Sequence, residues 1–324
     1  MEKSKLKSHL LKLIIIIAAI FSIAVISGCT SELNDFVDIN GLFYEYSVVS
    51  NSDERYIVIT KHIVSQSDVI IPETIYDIPV KAIGESAFEN EKQLKSVKFG
   101  GNTQIIEENA FGGCENLESV EFTDSIISIK NYSFQNCTSL KSVNITQNIQ
   151  NIGRGAFYGC SNLSEVTFSG NPSEIGGRAF AGTAWLNSMR DKDFVTICDG
   201  ILIQYNGDDS KVKLPKSIKQ ISGAFAGNTK VEEISLNSGL QKIGDMSFMG
   251  CISLNYVGIP KSVTDIGNEA FYGCTAMENI SLRDTVQNIG KDAFSYCSAK
   301  LYAPRNTAAH KYFADNNLQY SFSD

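Results

Sequence analysis

The chain has 324 residues, an ordinary hydrophobic content of 43% and a formal net charge of −8 at pH 7. An acidic chain with no basic run after Lys12 is unsuited to binding phosphate backbones, which argues against nucleic acid as a partner. The length alone would allow two domains, but an internal repeat overrides that estimate.

The first 28 residues have the pattern of an export signal. Four lysines up to Lys12 form a basic start, residues 13–26 are almost continuously apolar, and the small residues Ser27 and Gly28 follow. This order is typical of a secretory signal peptide. An uncleaved signal anchor is the alternative, although the apolar run is short for a spanning helix.

The small pair directly before Cys29 resembles the bacterial lipobox. That resemblance implies that residues 1–28 are a lipoprotein signal peptide and that Cys29 is acylated as the first residue of the exported protein. Residues 29–40 are polar and acidic and are predicted to form a lipidated tether. The protein is therefore expected to be anchored in the cell membrane or outer membrane and to face outward.

Residues 41–324 are predicted to form a single domain that begins with a cap at about 41–68. Apolar residues alternate in 42–46 and in 56–60, as in strands, and the segment 51–53 between them (Asn-Ser-Asp) signals a turn. A hairpin here would seal the first repeat, because the terminal units of a solenoid must cover its core.

Residues 69–303 carry a 23-residue repeat, which is most visible in nine phenylalanines that recur at that spacing with a single gap of 45. These residues are Phe88, Phe111, Phe134, Phe157, Phe180, Phe225, Phe248, Phe271 and Phe294. Ile175 and Ile221 are 46 residues apart, which is twice the repeat. One degenerate repeat at 189–220 is therefore predicted to maintain one continuous solenoid.

Each repeat has a strand half and a return half. In the strand half, the pattern Leu-x-x-Val-x-Ile places apolar side chains on one face by two-residue alternation. In the return half, the pattern Ile-Gly-x-x-Ala-Phe sets a small residue beside the ring that fills the interior. One unit cannot bury its face alone, so neighbours must stack. The nine rings are predicted to form a continuous aromatic spine.

Two segments depart from the repeat. Trp185 and residues 199–205 are predicted to form a hairpin-like island within the array, as a structural variant rung or, less favoured, a functional insert. Residues 304–324 are predicted to form the C-terminal cap, with a short helix over 307–316 that Thr307 caps. A closing strand is predicted over 318–322.

The extended motif Ile-Gly-x-x-Ala-Phe-x-x-Cys-x-x-Leu-x-x-Val-x-Ile resembles the BspA-like leucine-rich-repeat family of bacterial surface proteins. Gly153, Ala156, Phe157, Cys160 and Leu163 carry it clearly. The predicted fold is an α/β leucine-rich-repeat solenoid, with a curved parallel sheet on one side and short helical or irregular return segments on the other. The family implies surface display and, for the members so described, adhesion to host matrix proteins or other bacteria.

Six cysteines stack in phase as two triplets: Cys114, Cys137, Cys160, Cys251, Cys274 and Cys297. They are interpreted as buried apolar thiols, or as disulfides because the chain is exported. Disulfides between neighbouring repeats would leave one cysteine of each triplet unpaired, which favours free thiols. No Cys-x-x-Cys pair and no catalytic motif occur. No metal, cofactor or catalytic residue is predicted, and the chain is not expected to be an enzyme.

The outward side chains of the strand half form the predicted ligand face, because they lie on one broad sheet. Tyr256 is its expected anchor, since aromatic residues dominate binding hot spots. The candidates are Lys98, Glu121, Asn144, Thr167, Glu233, Ser235 and Tyr256. The leading hypothesis is an adhesin or protein-recognition module for a host or bacterial surface protein. A structural envelope spacer without a ligand is the alternative, and an enzyme accessory is a distant third.

Overall fold

The computed structural model describes residues 35–39, 42–50, 54–62 and 66–323. Asn34–Asp324 form one compact unit. The predicted signal peptide and the acylation site Cys29 lie outside the described residues. Within the described residues, every helix is too short or too polar to cross a bilayer.

A three-stranded antiparallel cap begins the structure, formed by β1 (Asp35–Ile39), β2 (Leu42–Ser50) and β3 (Arg55–His62). The pairing of β2 with β3 confirms the predicted hairpin. Strand β1 lies in the segment assigned to the tether, so the folded part begins before residue 41. Strand β3 then pairs in parallel with the first rung of the solenoid.

The other described residues form short strands and two helices. The strands are β4 (Asp68–Ile70), β5 (Thr74–Ile75), β6 (Ile78–Ile83), β7 (Ser96–Lys98), β8 (Ile105–Ile106), β9 (Ser119–Glu121), β10 (Ser128–Ile129), β11 (Ser142–Ile145), β12 (Asn151–Ile152), β13 (Glu165–Phe168), β14 (Glu174–Ile175), β15 (Phe194–Ile197), β16 (Ile201–Tyr205), β17 (Lys211–Lys213), β18 (Gln220–Ile221), β19 (Glu233–Ser235), β20 (Lys242–Ile243), β21 (Tyr256–Val257), β22 (Asp265–Ile266), β23 (Asn279–Ser281), β24 (Asn288–Ile289), β25 (Lys300–Ala303) and β26 (Tyr320–Phe322). The helices are α1 (Ala184–Asn187) and α2 (Ala308–Asp315).

Each turn of the solenoid contributes to two parallel ladders. The strand halves form the strand face, in two sheets of order β4-β7-β9-β11-β13 and β17-β19-β21-β23-β25-β26. The Ile-Gly segments form a second pair of ladders, here called the isoleucine ladder, in the orders β6-β8-β10-β12-β14 and β16-β18-β20-β22-β24. The return side is thus more regular than predicted, because backbone groups pair directly between rungs, as where the Gly153 amide donates to the Ile129 carbonyl at 2.7 Å.

Both sheets are interrupted at the degenerate repeat, which divides the solenoid into two arms. The first arm comprises the cap and the rungs up to β14, and the second runs from β16 to β26. The predicted continuous spine is wrong at this point. Ring stacking ends at Phe180, whose next neighbour Trp185 meets it edge-on at 5.2 Å. It restarts at Tyr205, which takes the place of the missing phenylalanine and stacks on Phe225 at 4.9 Å.

The degenerate repeat forms a wall between two buried cores. Strands β15 and β16 make an antiparallel hairpin, as the island prediction anticipated, and β16 also pairs in parallel with β18. Ile201 and Ile203 pack into the core of the first arm, whereas Leu202 and Tyr205 pack into that of the second. Strand β16 therefore contributes side chains both to the end of the first core and to the start of the second.

The C-terminal cap has the predicted form. Thr307 caps helix α2 by accepting a hydrogen bond from the His310 amide at 3.2 Å. Phe313 is fully buried in the core of the second arm and covers the last ring, Phe294. Strand β26 adds to the strand face beside β25.

Candidate functional site

The seven candidate residues lie on the strand face, but the interruption places them on two separate sheets. Four belong to the first arm and three to the second. On the first arm, Lys98 of β7 faces Glu121 of β9, and Asn144 of β11 faces Thr167 of β13. The structure brings each pair together but does not join all seven residues in one continuous sheet.

The polar groups of the first-arm candidates mostly bind one another. Lys98 and Glu121 form an ion pair at 3.2 Å, and the Thr167 hydroxyl donates to the Asn144 side chain at 2.9 Å. These contacts run from rung to rung along the face. The side chains are ordered and exposed, yet part of their bonding capacity is already used.

The second arm carries the aromatic candidate. Tyr256 is 53% exposed and lies in register between Glu233 and Asn279 on the neighbouring rungs. Glu233 accepts a hydrogen bond from Lys211 at 2.7 Å, and this bond raises the pKa of the lysine above its ordinary value. Ser235 is exposed two residues further along the same strand. Tyr256 is therefore an accessible ring on a rigid strand, flanked by polar groups.

The two arms meet at a sharp bend that the sequence analysis missed. Arg154 and Glu269 lie five rungs apart in the chain, which would be about 24 Å in a straight stack. Their side chains nevertheless form an ion pair at 3.1 Å. Lys242 likewise pairs with Glu174 at 2.7 Å from three rungs away. The isoleucine ladder, and not the strand face, forms the inner side of the bend.

Close backbone contact fixes the bend. The Ser222 hydroxyl donates a hydrogen bond to the Ile175 carbonyl. In the regular stack, the equivalent Ile152 carbonyl instead accepts from the Gly176 amide of the next rung. A Cβ atom at Gly177 would lie 2.3 Å from the Asp245 carbonyl oxygen, so only glycine allows this approach. The sequence signal was present, because Ile221 precedes Phe225 by four residues instead of five. This shorter spacing does not by itself predict a change of direction.

A polar cavity of about 350 Å³ opens along the bend. Its walls include Ser128, Lys130, Asn151, Arg154 and Glu174 of the first arm, together with Asp245 of the second. Burial opposes the charge of Arg154, but the hydrogen bond and charge of Glu269 outweigh it, so the pKa of the guanidinium lies above its ordinary value. The Arg154 guanidinium therefore stays charged beside the cavity.

Five of the six stacked cysteines are buried in the core, and Cys297 is partly buried beside it. The Cys114 thiol donates to the Phe88 carbonyl at 3.0 Å, and Cys251 does the same to Phe225 at 3.0 Å. Burial raises the pKa of both thiols to about 12. A protonated buried thiol is neither a nucleophile nor a metal ligand. Across the described ranges, His, Cys, Asp and Glu side chains form no cluster suited to a metal ion.

Comparison with known proteins agrees with the repeat. The family model described as "BspA type Leucine rich repeat region (6 copies)" matches residues 81–202 and 203–319. No curated protein matches the chain significantly.

Several solved structures are similar to the chain. A leucine-rich repeat protein of T. pallidum is 24% identical over 72% of this chain and 87% of that one, with a TM-score of 0.40. A leucine-rich cell surface protein of Faecalibacterium prausnitzii is 22% identical over 90% and 96%, with a TM-score of 0.35. The pneumococcal vaccine antigen PcpA is 16% identical over 91% and 100%, with a TM-score of 0.40.

Proposed function

The chain belongs to the BspA-type leucine-rich-repeat family, and from that premise we propose that it is an exported surface protein that recognises another protein through its strand face. The family match supports surface display. The proposed partner is a host or bacterial surface protein, and the proposal assigns the chain no catalytic role. Solenoids of this kind offer long, ordered surfaces that suit a macromolecular partner.

The observation that carries the proposal is Tyr256. A half-exposed ring in the middle of an ordered sheet can enter a pocket on a partner with little loss of side-chain freedom. Glu233 and Asn279 on the adjoining rungs supply polar groups around it. This arrangement of a central aromatic residue and a polar surround is typical of a protein-binding hot spot.

The second candidate function is a structural envelope spacer without a ligand. The pairs Lys98–Glu121 and Asn144–Thr167 favour it, because both satisfy their polar groups within the face. A surface whose side chains bind one another has less to offer a partner. The spacer hypothesis thus predicts that changes to the face leave every binding assay unaltered.

The proposed attachment is a lipid at Cys29. Labelling cells with an alkyne fatty acid should mark the wild-type protein and leave the Cys29→Ser variant unmarked and released from the membrane. A labelled or membrane-bound Cys29→Ser protein would contradict the lipid anchor.

The binding proposal is tested with the whole chain, purified in detergent and applied to an array of extracellular-matrix proteins at physiological salt. Tyr256→Ala combined with Glu233→Lys should weaken binding about tenfold or more, as expected for a hot spot. Tyr296→Ala is the matched control, since that ring is 76% exposed but lies outside the strand face. Binding that ignores the double change would refute the strand-face site. An array without any signal at micromolar protein would favour the spacer.

A further inference from the structure

The cavity between the two arms has the character of a binding site separate from the strand face. We propose that it binds a neutral, hydroxyl-rich ligand, of which a short oligosaccharide is the natural example. Its volume of about 350 Å³ lies within the usual range for small-molecule sites, about 300–1,000 Å³. The inference does not depend on the strand face, because it concerns the isoleucine ladder.

One buried polar side chain in the lining of the cavity has no partner within the protein. Ser128 is only 6% exposed and lines the cavity, yet its hydroxyl makes no hydrogen bond. Buried polar groups are nearly always paired, so the Ser128 hydroxyl indicates a partner supplied from outside.

The lining contains both hydrogen-bond donors and hydrogen-bond acceptors. Lys130 offers a donor, and Glu174 and Asp245 offer carboxylate acceptors. Asn151 offers both kinds of group from its amide, and the Ser128 hydroxyl serves as either. A ligand hydroxyl also donates and accepts at one atom. A run of hydroxyls therefore matches this lining better than a ligand with only one kind of group.

The charges of the cavity select against charged ligands. Lys130 and Arg154 are balanced by Glu174 and Asp245, so the lining has no net charge to attract a phosphate or a polyamine. Ile129 and Ile152 border the cavity, but their side chains are buried in the core. The two isoleucine side chains thus offer an apolar side chain of a peptide no surface to pack on.

The bend also holds the cavity in shape. Arg154–Glu269 and Glu174–Lys242 join the arms at two points, and the Ser222 hydroxyl joins them at a third. A cavity fixed before its ligand arrives loses little conformational freedom on binding. This rigidity helps a weakly held polar ligand to compete with water.

The test uses the whole chain in detergent, with maltose, cellobiose, lactose and N,N′-diacetylchitobiose as probes at up to about 10 mM, where even weak sites fill. Saturation-transfer NMR and titration should detect binding of at least one sugar. Ser128→Ala and Asp245→Asn should each weaken it about tenfold. Ser119→Ala and Tyr256→Ala, both on the strand face, should leave it unchanged. Ser128→Ala should fold at least as stably as the wild type, because it removes an unpaired buried hydroxyl.

Three results would overturn the inference. The first is the absence of a saturation-transfer signal from all four sugars. The second is sugar binding that persists unaltered in Ser128→Ala and Asp245→Asn. The third is a stronger response to inorganic phosphate, spermidine or a basic peptide than to any sugar, which would mean a charged ligand. None of these outcomes bears on matrix-protein binding by the strand face.

Discussion

The ion pair between Arg154 and Glu269 should hold the two arms together more strongly than a surface pair would. Its side chains are only 17% and 29% exposed, and the joined atoms are 3.1 Å apart. At an effective dielectric constant near 20, the attraction at this distance is about 5 kcal/mol before desolvation. Desolvation of two half-buried ions offsets much of that. We expect a coupling free energy of about 1.5–3 kcal/mol.

Lys98–Glu121 provides a matched comparison. Its atoms are 3.2 Å apart, almost the same distance, but its side chains are 61% and 68% exposed. Exposed pairs contribute about 0–1 kcal/mol. Double-mutant cycles with Arg154→Gln and Glu269→Gln, and with Lys98→Gln and Glu121→Gln, separate the two cases. The distance is matched, so the two pairs differ in solvent exposure and in the cation, which is arginine in one and lysine in the other.

The assay is urea unfolding followed by Trp185 fluorescence, because the only tryptophan of the chain lies at the bend. The Arg154–Glu269 coupling should also persist at 0.5 M salt, since half-buried pairs are screened less than exposed ones. Equal coupling energies for the two pairs, or complete loss of both in salt, would show that the arms are not held by this contact.

Three further predictions concern stability. Phe157→Ala should reduce the free energy of unfolding by about 3–5 kcal/mol, measured in urea, because its buried ring stacks on Phe134 and Phe180 at 5.4 Å on both sides; a loss below 1 kcal/mol would contradict the stacked core. Ser222→Ala should cost about 1–3 kcal/mol, seen by Trp185 fluorescence, because it leaves the Ile175 carbonyl without its donor; unchanged unfolding would refute that role. The free energy of unfolding should fall as pH rises from about 9 toward 12, since unfolded chains lose thiol protons that folded Cys114 and Cys251 keep; a rise with pH in that window would contradict the burial of the thiols.

The repeat made most of the fold predictable. The 23-residue spacing alone located the stacked rings, since each of the nine phenylalanines falls at an equivalent buried position. Turn residues and the cap at Thr307 located both terminal caps. The isoleucine ladder was missed because two-residue strands carry too little periodicity to be distinguished from irregular chain.

The repeat spacing could not predict the bend. It depends on contacts such as Arg154–Glu269 that are 115 residues apart and do not follow the repeat. A missing residue before Phe225 marks the place, but spacing carries no information about direction. The strand-face residues were easier to locate, because alternation fixes which side chains point outward. Whether any of them binds a partner is a question of chemistry that alternation does not address.

The bend also bears on how such a protein can change over generations. Its contacts involve only the last two rungs of the first arm, near Arg154 and Glu174, and the first three of the second, near Ser222, Lys242 and Glu269. Gaining or losing a 23-residue unit elsewhere would lengthen or shorten an arm without disturbing them. The length of each arm can therefore evolve independently of the contacts that hold the bend.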